Sequence, residues 1–149
     1  IRNAGNIVPP HTRDADGVTA SIEYAVAVLG IKHVVVCGHS DCGAMKGALN
    51  TAALSDLPHV QDWLDHSRAA VETVKAKHGQ ATISELDAVT KQNVELQLNH
   101  LRTHPAVSAK MSTGDVELHG WVYNIGQGTV EAFDESKGAF VSVEERYIA

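Results

Sequence analysis

The chain has 149 residues, of which 44% are hydrophobic and 20% charged, and its formal net charge is −6. That is enough apolar material for one folded domain and argues against disorder. Acids and bases interleave without a basic stripe, which excludes nucleic acid and anionic membrane surfaces as partners, and no apolar run approaches the roughly 20 residues of a membrane span.

Taken in chain order, residues 1–16 read as loop, broken by Asn3, Gly5, Asn6, the Pro9-Pro10 pair and the run Asp14-Ala15-Asp16-Gly17. Val18, Ile22, Val26 and Leu29 recur at three-to-four spacing and predict a helix over 18–29 that Gly30 stops. Residues 31–37, short and β-branched between two glycines, read as a buried strand. A short helix follows at 44–49. The helix expected at 58–78 turns Val60, Trp63, Leu64, Val71 and Val74 inward and ends at Gly79. Another, at 84–102, carries the stripe Leu86, Val89, Val94, Leu98 and Leu101. Pro105 opens a last short helix that Gly114 closes. Residues 116–123 then read as a strand, Gly126-Gln127-Gly128 as a tight turn and 129–133 as its antiparallel return, whereas the tail from Asp134 is weakly patterned.

This order is that of an α/β fold: a mostly parallel central sheet flanked by helices, with a C-terminal antiparallel hairpin strand, in a single domain over 1–149. With one clearly parallel strand in view, the sheet wants another on the far side of 33–37. The chain opens at Ile1-Arg2-Asn3 without an initiating methionine, so the expectation is a processed or truncated product lacking its N-terminal portion. No secretory leader is visible. Cys37 ends a strand and Cys42 begins a helix, which argues against a mutual disulfide. This usage points to a reducing, cytoplasmic setting with a thiolate kept for metal.

The densest chemistry is the run Cys37-Gly38-His39-Ser40-Asp41-Cys42-Gly43. It sets an imidazole and a thiol three positions apart on a turn at the end of a strand, where ligands collect in open α/β sheets. Both are donors that a zinc ion accepts. Cys42 falls at or near a helix N-terminus, whose dipole favours the thiolate, and Gly38 and Gly43 let the backbone bend close to an ion. Spacing alone also fits a helix cap beside a small buried cysteine, and a tetrahedral site needs at least one more protein ligand. Cys37 is a poor third ligand, because strand alternation and Gly38 are expected to point it away from His39.

Arg2-Asn3-Ala4-Gly5-Asn6, Ser21-Ile22-Glu23-Tyr24-Ala25-Val26, the run from Cys37 to Met45 and His119-Gly120-Trp121-Val122-Tyr123 appear in that order. Asn93-Val94, Gln97-Leu98 and Leu101-Arg102-Thr103-His104-Pro105 fall between the last two. Together these motifs resemble the β-class carbonic anhydrases over nearly the whole chain. The resemblance implies one zinc ion held by two cysteines and a histidine, with water or, in some resting forms, an aspartate in the fourth position. Its histidine corresponds to His39 and its second cysteine to Cys42, while Asp41 matches no family position. The first cysteine belongs to a Cys-x-Asp-x-Arg segment that precedes the stretch found here at 2–6. That segment also supplies the aspartate–arginine pair beside the metal, so no catalytic residue of that pair is in this chain.

The implied reaction is the reversible hydration of carbon dioxide to bicarbonate and a proton by a zinc-bound hydroxide. The backbone N–H of Gly43 is the implied substrate-binding donor. Arg2 and Tyr123 match positions that, with an upstream tryptophan, form a non-catalytic bicarbonate pocket in regulated bacterial members. They are the candidate regulatory residues, set against ordinary interface packing. The family also implies a homodimer or larger homo-oligomer. Two other readings remain: a catalytically incompetent α/β fragment or dimerisation module without a complete zinc site, and a carbon disulfide or carbonyl sulfide hydrolase on the same scaffold. Of the remaining residues, His119 is expected to be a hydrogen-bonded strand residue rather than a ligand. His59, His66, His78, His100 and His104 are expected at the surface or its boundary, Trp63 in the core, and Glu23 and Tyr24 on a helix near the site.

Overall fold

In the computed structural model, residues 1–14 and 16–148 are described; Ala15, one of the expected loop breakers, and Ala149 lie outside them. Helix α1 (Gly17–Glu23) starts where the Asp16 carboxylate accepts the Val18 and Thr19 N–H groups at 2.7 and 2.8 Å, satisfying two donors that a helix start leaves unpaired. The helix widens into a π-helical turn over Tyr24–Val28, closed by the Leu29 N–H to the Tyr24 carbonyl. Leu29, expected inward, is exposed, because the widened turn and Gly30 at φ +65° swing the chain away towards the sheet.

Strand β1 (His33–His39) runs two residues further than the sequence suggests and leads into α2 (Gly43–Leu49). The long helix expected at 58–78 is two: α3 (Pro58–Leu64) and α4 (Arg68–His78), separated by a 3₁₀ turn at Asp65–Ser67. Val60 faces outward, and Trp63, half-buried, packs at the edge of the Ile7–Leu54–Leu64 cluster while its indole N–H donates to the Ala4 carbonyl at 2.9 Å. Helix α5 (Leu86–Thr103) and α6 (Pro105–Ser112) match expectation, α6 taking Pro105 in its first turn.

Strands β2 (Glu117–Asn124) and β3 (Thr129–Asp134) form the expected hairpin. The weakly patterned tail adds what the sequence did not signal, a fourth strand β4 (Ala139–Ser142) and a short helix α7 (Val143–Tyr147). The sheet order is β1-β2-β3-β4, with β1–β2 parallel and the other two pairings antiparallel. The α/β class stands, but the parallel character is confined to that first pair, because the tail extends the hairpin into an antiparallel meander.

One face of the sheet carries the core. Val36 and Val122 pack there with Val94, Leu98 and Leu101 of α5, Ile22 and Val26 from the first helical segment, and Val107 of α6. Close approach depends on two glycines. A β-carbon at Gly38 would lie 3.0 Å from Val94 Cγ2, and one at Gly120 would lie 2.8 Å from Val94 Cγ1 and 2.9 Å from Leu98 Cδ1. The opposite face is open along β1, where Val35 is 41% exposed, so the expectation of a strand buried on both sides is corrected. The cause is one-sided packing: the core helices lie on the other face, α7 covers the open face further along at Trp121, and β1 is also the sheet's edge strand among the described residues.

Replacing Gly120 with Ala should therefore overpack the α5–sheet contact and cost about 1–3 kcal/mol. Urea unfolding of the variant against the parent chain measures this.

Candidate metal centre

The segment beside the β1–α2 turn is held by polar groups of α5. Asn93 and Gln97, one helical turn apart, are both fully buried. Gln97 Nε2 donates to Asn93 Oδ1 at 2.8 Å, Asn93 Nδ2 donates to the Gly5 carbonyl at 3.0 Å, and Gln97 Oε1 accepts the Val8 N–H at 2.9 Å. The next two turns continue the pattern. His100 Nδ1 donates to the Val8 carbonyl at 2.7 Å, and His104 Nε2 to the Pro9 carbonyl at 2.9 Å. Of these two, both expected at the surface or its boundary, His100 is half-buried, as expected, whereas His104 is interior at 2% exposure. Their partners are backbone groups some ninety positions away, which no local spacing reveals. Asn3 adds a local clasp, its amide bonding both the N–H and the carbonyl of Ile7 at 2.8 Å.

His39 ends β1. Its Nδ1 lies 2.8 Å from the Ser40 carbonyl, which can only accept, so the proton sits on Nδ1 and the Nε2 lone pair is left for a ligand. The turn is pinned from the far strand, the Ser40 N–H donating to the Tyr123 carbonyl at 2.9 Å and Ser40 Oγ accepting the Ile125 N–H at 2.9 Å. Asp41 takes a left-handed φ of 57° and pairs with Lys46, so its carboxylate is turned to a cation of α2. Cys42 is the N-cap of α2, 3% exposed, and packs with Met45, Val74 and Val89. Gly43, the first residue of that helix, is exposed, with open space where a β-carbon would be. The fold therefore places two zinc-compatible donors and a helix-initial N–H within five residues. His39, with its tautomer fixed, meets the first requirement of a zinc ligand.

Cys37 corrects the sequence reading. Because β1 continues through His39, the two residues are two apart on one strand and share its open face. Its thiol is nonetheless pushed above the ordinary value of 9.0 by partial burial of the sulfur, which keeps it protonated at neutral pH. A cleft of about 720 Å³ runs along the free side of β1 and brings Arg2, Asn6, Cys37 and His39 together. Asn6 Nδ2 is buried and lacks a hydrogen-bond partner among the described residues. Arg2 is exposed. Tyr123, 40% exposed, sits directly across from His39 in the β1–β2 register. Glu23 and Tyr24 are exposed on the first helical segment.

His119 is hydrogen-bonded in the sheet, as expected. Its Nε2 lies 3.0 Å from His33 Nδ1 and its Nδ1 3.0 Å from the Tyr147 hydroxyl. Burial pushes this imidazole below its ordinary 6.5, Glu117 opposing and His33 and Arg146 reinforcing the shift.

Comparison with known proteins decides the lineage. The family model described as "Carbonic anhydrase" matches residues 1–130. A carbonic anhydrase of Pseudomonas aeruginosa is 49% identical over 97% of this chain. The solved structure of the beta-carbonic anhydrase CcaA superposes with a TM-score of 0.90 at 41% identity, covering 95% of this chain and 70% of that one. The chain belongs to the β-carbonic anhydrase family. A tetrameric β-carbonic anhydrase from Sordaria macrospora also superposes, with a TM-score of 0.77 at 28% identity over 95% of this chain and 68% of its own. Of the Pseudomonas relative, the chain spans 66% of the length. No helix among the described residues is long and apolar enough to cross a membrane.

Two outcomes test how this family member holds its site-bearing segment. Gln97→Leu should leave the Val8 N–H and Asn93 Oδ1 unpaired at about 1–3 kcal/mol each, and should speed amide exchange at Val8 before global unfolding. The second outcome concerns pH. Burial pushes the His100 imidazole below its ordinary 6.5, the Val8 carbonyl opposing and His66 and His104 adding to the shift. The unfolded chain therefore binds the proton first, so this contribution to stability is complete above pH 6.5 and declines as pH falls below it. Urea midpoints measured down that range should fall more steeply in the parent than in His100→Asn.

Proposed function

We propose that this chain carries the histidine and one cysteine of a zinc centre that hydrates carbon dioxide reversibly to bicarbonate and a proton. The observation carrying the reading is His39: its Nδ1 is committed to the Ser40 carbonyl and its Nε2 left free, three residues before Cys42. His39 Nε2 and Cys42 Sγ would hold the ion. Zinc supplies Lewis acidity there, lowering the pKa of water from about 15.7 towards roughly 7 so that hydroxide is available near neutral pH. The chain's own part is to orient and receive. Ser40 keeps the imidazole in the ligating tautomer, and the Gly43 N–H, which has no intrahelical acceptor at the first position of α2, is the donor offered to a substrate oxygen. Arg2 supplies a cation at the cleft that His39 also lines, and Tyr123 a hydroxyl on the adjacent strand, so a bicarbonate ion is the anion this pair would hold.

Two donors do not complete a tetrahedral site. The third ligand and the aspartate–arginine pair are proposed to come from a Cys-x-Asp-x-Arg strand laid along the free edge of β1, where the cleft lies. Exposed Tyr24, Val28 and Leu29 form an apolar strip suited to a second copy of the chain, in keeping with a homodimer or larger homo-oligomer. Thiol ligands fit a reducing, cytoplasmic setting.

Zinc content and stopped-flow carbon dioxide hydration are to be measured on this chain and on a form extended N-terminally through its own upstream coding sequence. The extended form should bind one tightly held zinc at this centre and turn over, and His39→Asn or Cys42→Ser should abolish both. Tight stoichiometric zinc at His39 and Cys42 with full turnover in the 149-residue chain would sink the external-ligand reading. Turnover surviving Cys42→Ser in the extended form would sink the zinc assignment itself.

A further inference from the structure

A second cluster of metal-ligating side chains lies at the other end of the β1–β2 pair. His33 opens β1, Glu117 opens β2 directly opposite it, and His119 follows two residues later. Strand alternation puts all three on the open face of the sheet, away from α5. His33 Nδ1 is 3.0 Å from His119 Nε2, and the Glu117 carboxylate is 3.9 Å from the first and 4.0 Å from the second. Among the described residues, this is the group of three that brings its donor atoms within such reach of one another. It is far from the family centre: His39 lies six residues along β1 from His33, or ~20 Å at the usual strand rise.

We propose that His33 Nδ1, His119 Nε2 and the Glu117 carboxylate form a second divalent-metal site, of zinc chemistry, with a fourth position open to water. The distances carry it. Tetrahedral bonds of ~2.0–2.1 Å place ligand atoms ~3.4 Å apart. The three observed separations, 3.0, 3.9 and 4.0 Å, bracket that value, so small side-chain rotations suffice. Two imidazoles and a carboxylate form a donor set that first-row ions such as zinc accept, whereas calcium and magnesium call for oxygen cages.

The surrounding hydrogen bonds are compatible with ligation. His119 Nδ1 and Trp121 Nε1 both lie 3.0 Å from the Tyr147 hydroxyl oxygen. That oxygen has two lone pairs, so it accepts from both N–H groups at once. His119 then holds its proton on Nδ1 and presents the Nε2 lone pair to the ion. In the metal-free chain His33 Nδ1–H donates to that lone pair, and on binding His33 shifts its proton to the solvent-facing Nε2 and presents Nδ1 to the ion. Binding exchanges a single imidazole–imidazole hydrogen bond for the metal, and both rings stay neutral. An ion here would tie the starts of β1 and β2 to α7, the helix that the weakly patterned tail builds.

The test counts zinc on the full chain at controlled free zinc, with cobalt as a spectroscopic surrogate. Because His33 and Glu117 are surface residues, H33N/E117Q should fold as the parent does, checked by near-ultraviolet circular dichroism. It should bind one zinc fewer per chain, or bind it at least 100-fold more weakly. Tyr147→Phe removes the oxygen that orients His119, at the further cost of the Trp121 partner, and should weaken that ion about 10-fold. In H39N/C42S the ion should remain, and its cobalt form should show visible ligand-field bands without thiolate charge transfer in the near ultraviolet. Unchanged zinc stoichiometry and affinity in H33N/E117Q would overturn the site. So would thiolate charge transfer as the sole cobalt signature of the parent chain, which would leave a plain His33–His119 hydrogen bond.

Discussion

The buried amide pair Asn93–Gln97 is the contact on which the arrangement of the site depends. Residues 5–8 leave a single distorted 3₁₀ turn at Ala4–Asn6 and join no strand, so their backbone groups need partners from elsewhere. Helix α5 supplies those partners along one stripe, and both amides are fully buried. Each makes several hydrogen bonds, so removing one leaves more than one group unsatisfied. A satisfied polar network in a low-dielectric interior specifies position more sharply than apolar contact does. It fixes residues 2–8 beside β1, and with them Arg2 and Asn6 at the cleft that His39 lines.

The same helix packs its apolar stripe on β1 and β2, and the glycines at 38 and 120 set how close it comes. Gly38 lies between Cys37 and His39, so the absence of a side chain there serves packing on one face while the neighbouring donors occupy the other. The His39 turn at the end of β1 is therefore coupled to core packing through adjacent positions of one strand. Substitutions in α5 would be felt at the His39 turn without touching it.

The open face of β1 and β2 carries a row of polar and aromatic side chains, with two imidazoles and a carboxylate at one end and His39 and Tyr123 at the other. Apart from Val35 its residues are polar or amphipathic, and α7 covers part of it through Tyr147. Cys37 belongs to this row. Its position there follows from β1 extending to His39, the boundary that the sequence reading placed two residues early.

By itself the sequence determined the element types, the α/β class, the hairpin and the His39–Cys42 spacing, because periodicity, glycine stops and motif order are local properties. It also carried the family through motifs that stand in order along the chain. What it left undecided were pairings between distant positions. The burial of His104 and the backbone bonds of His100 and His104 come from carbonyls of Pro9 and Val8, and the meeting of His33 with His119 comes from strand register across 86 positions. The tail was missed because β4 is four residues long and half-buried at most, too short to show alternation. The break at Asp65–Ser67 was missed because the apolar spacing runs through it almost unchanged. Tertiary structure alone decided these points, since a buried polar group or a sheet-face donor is defined by what the fold brings opposite it.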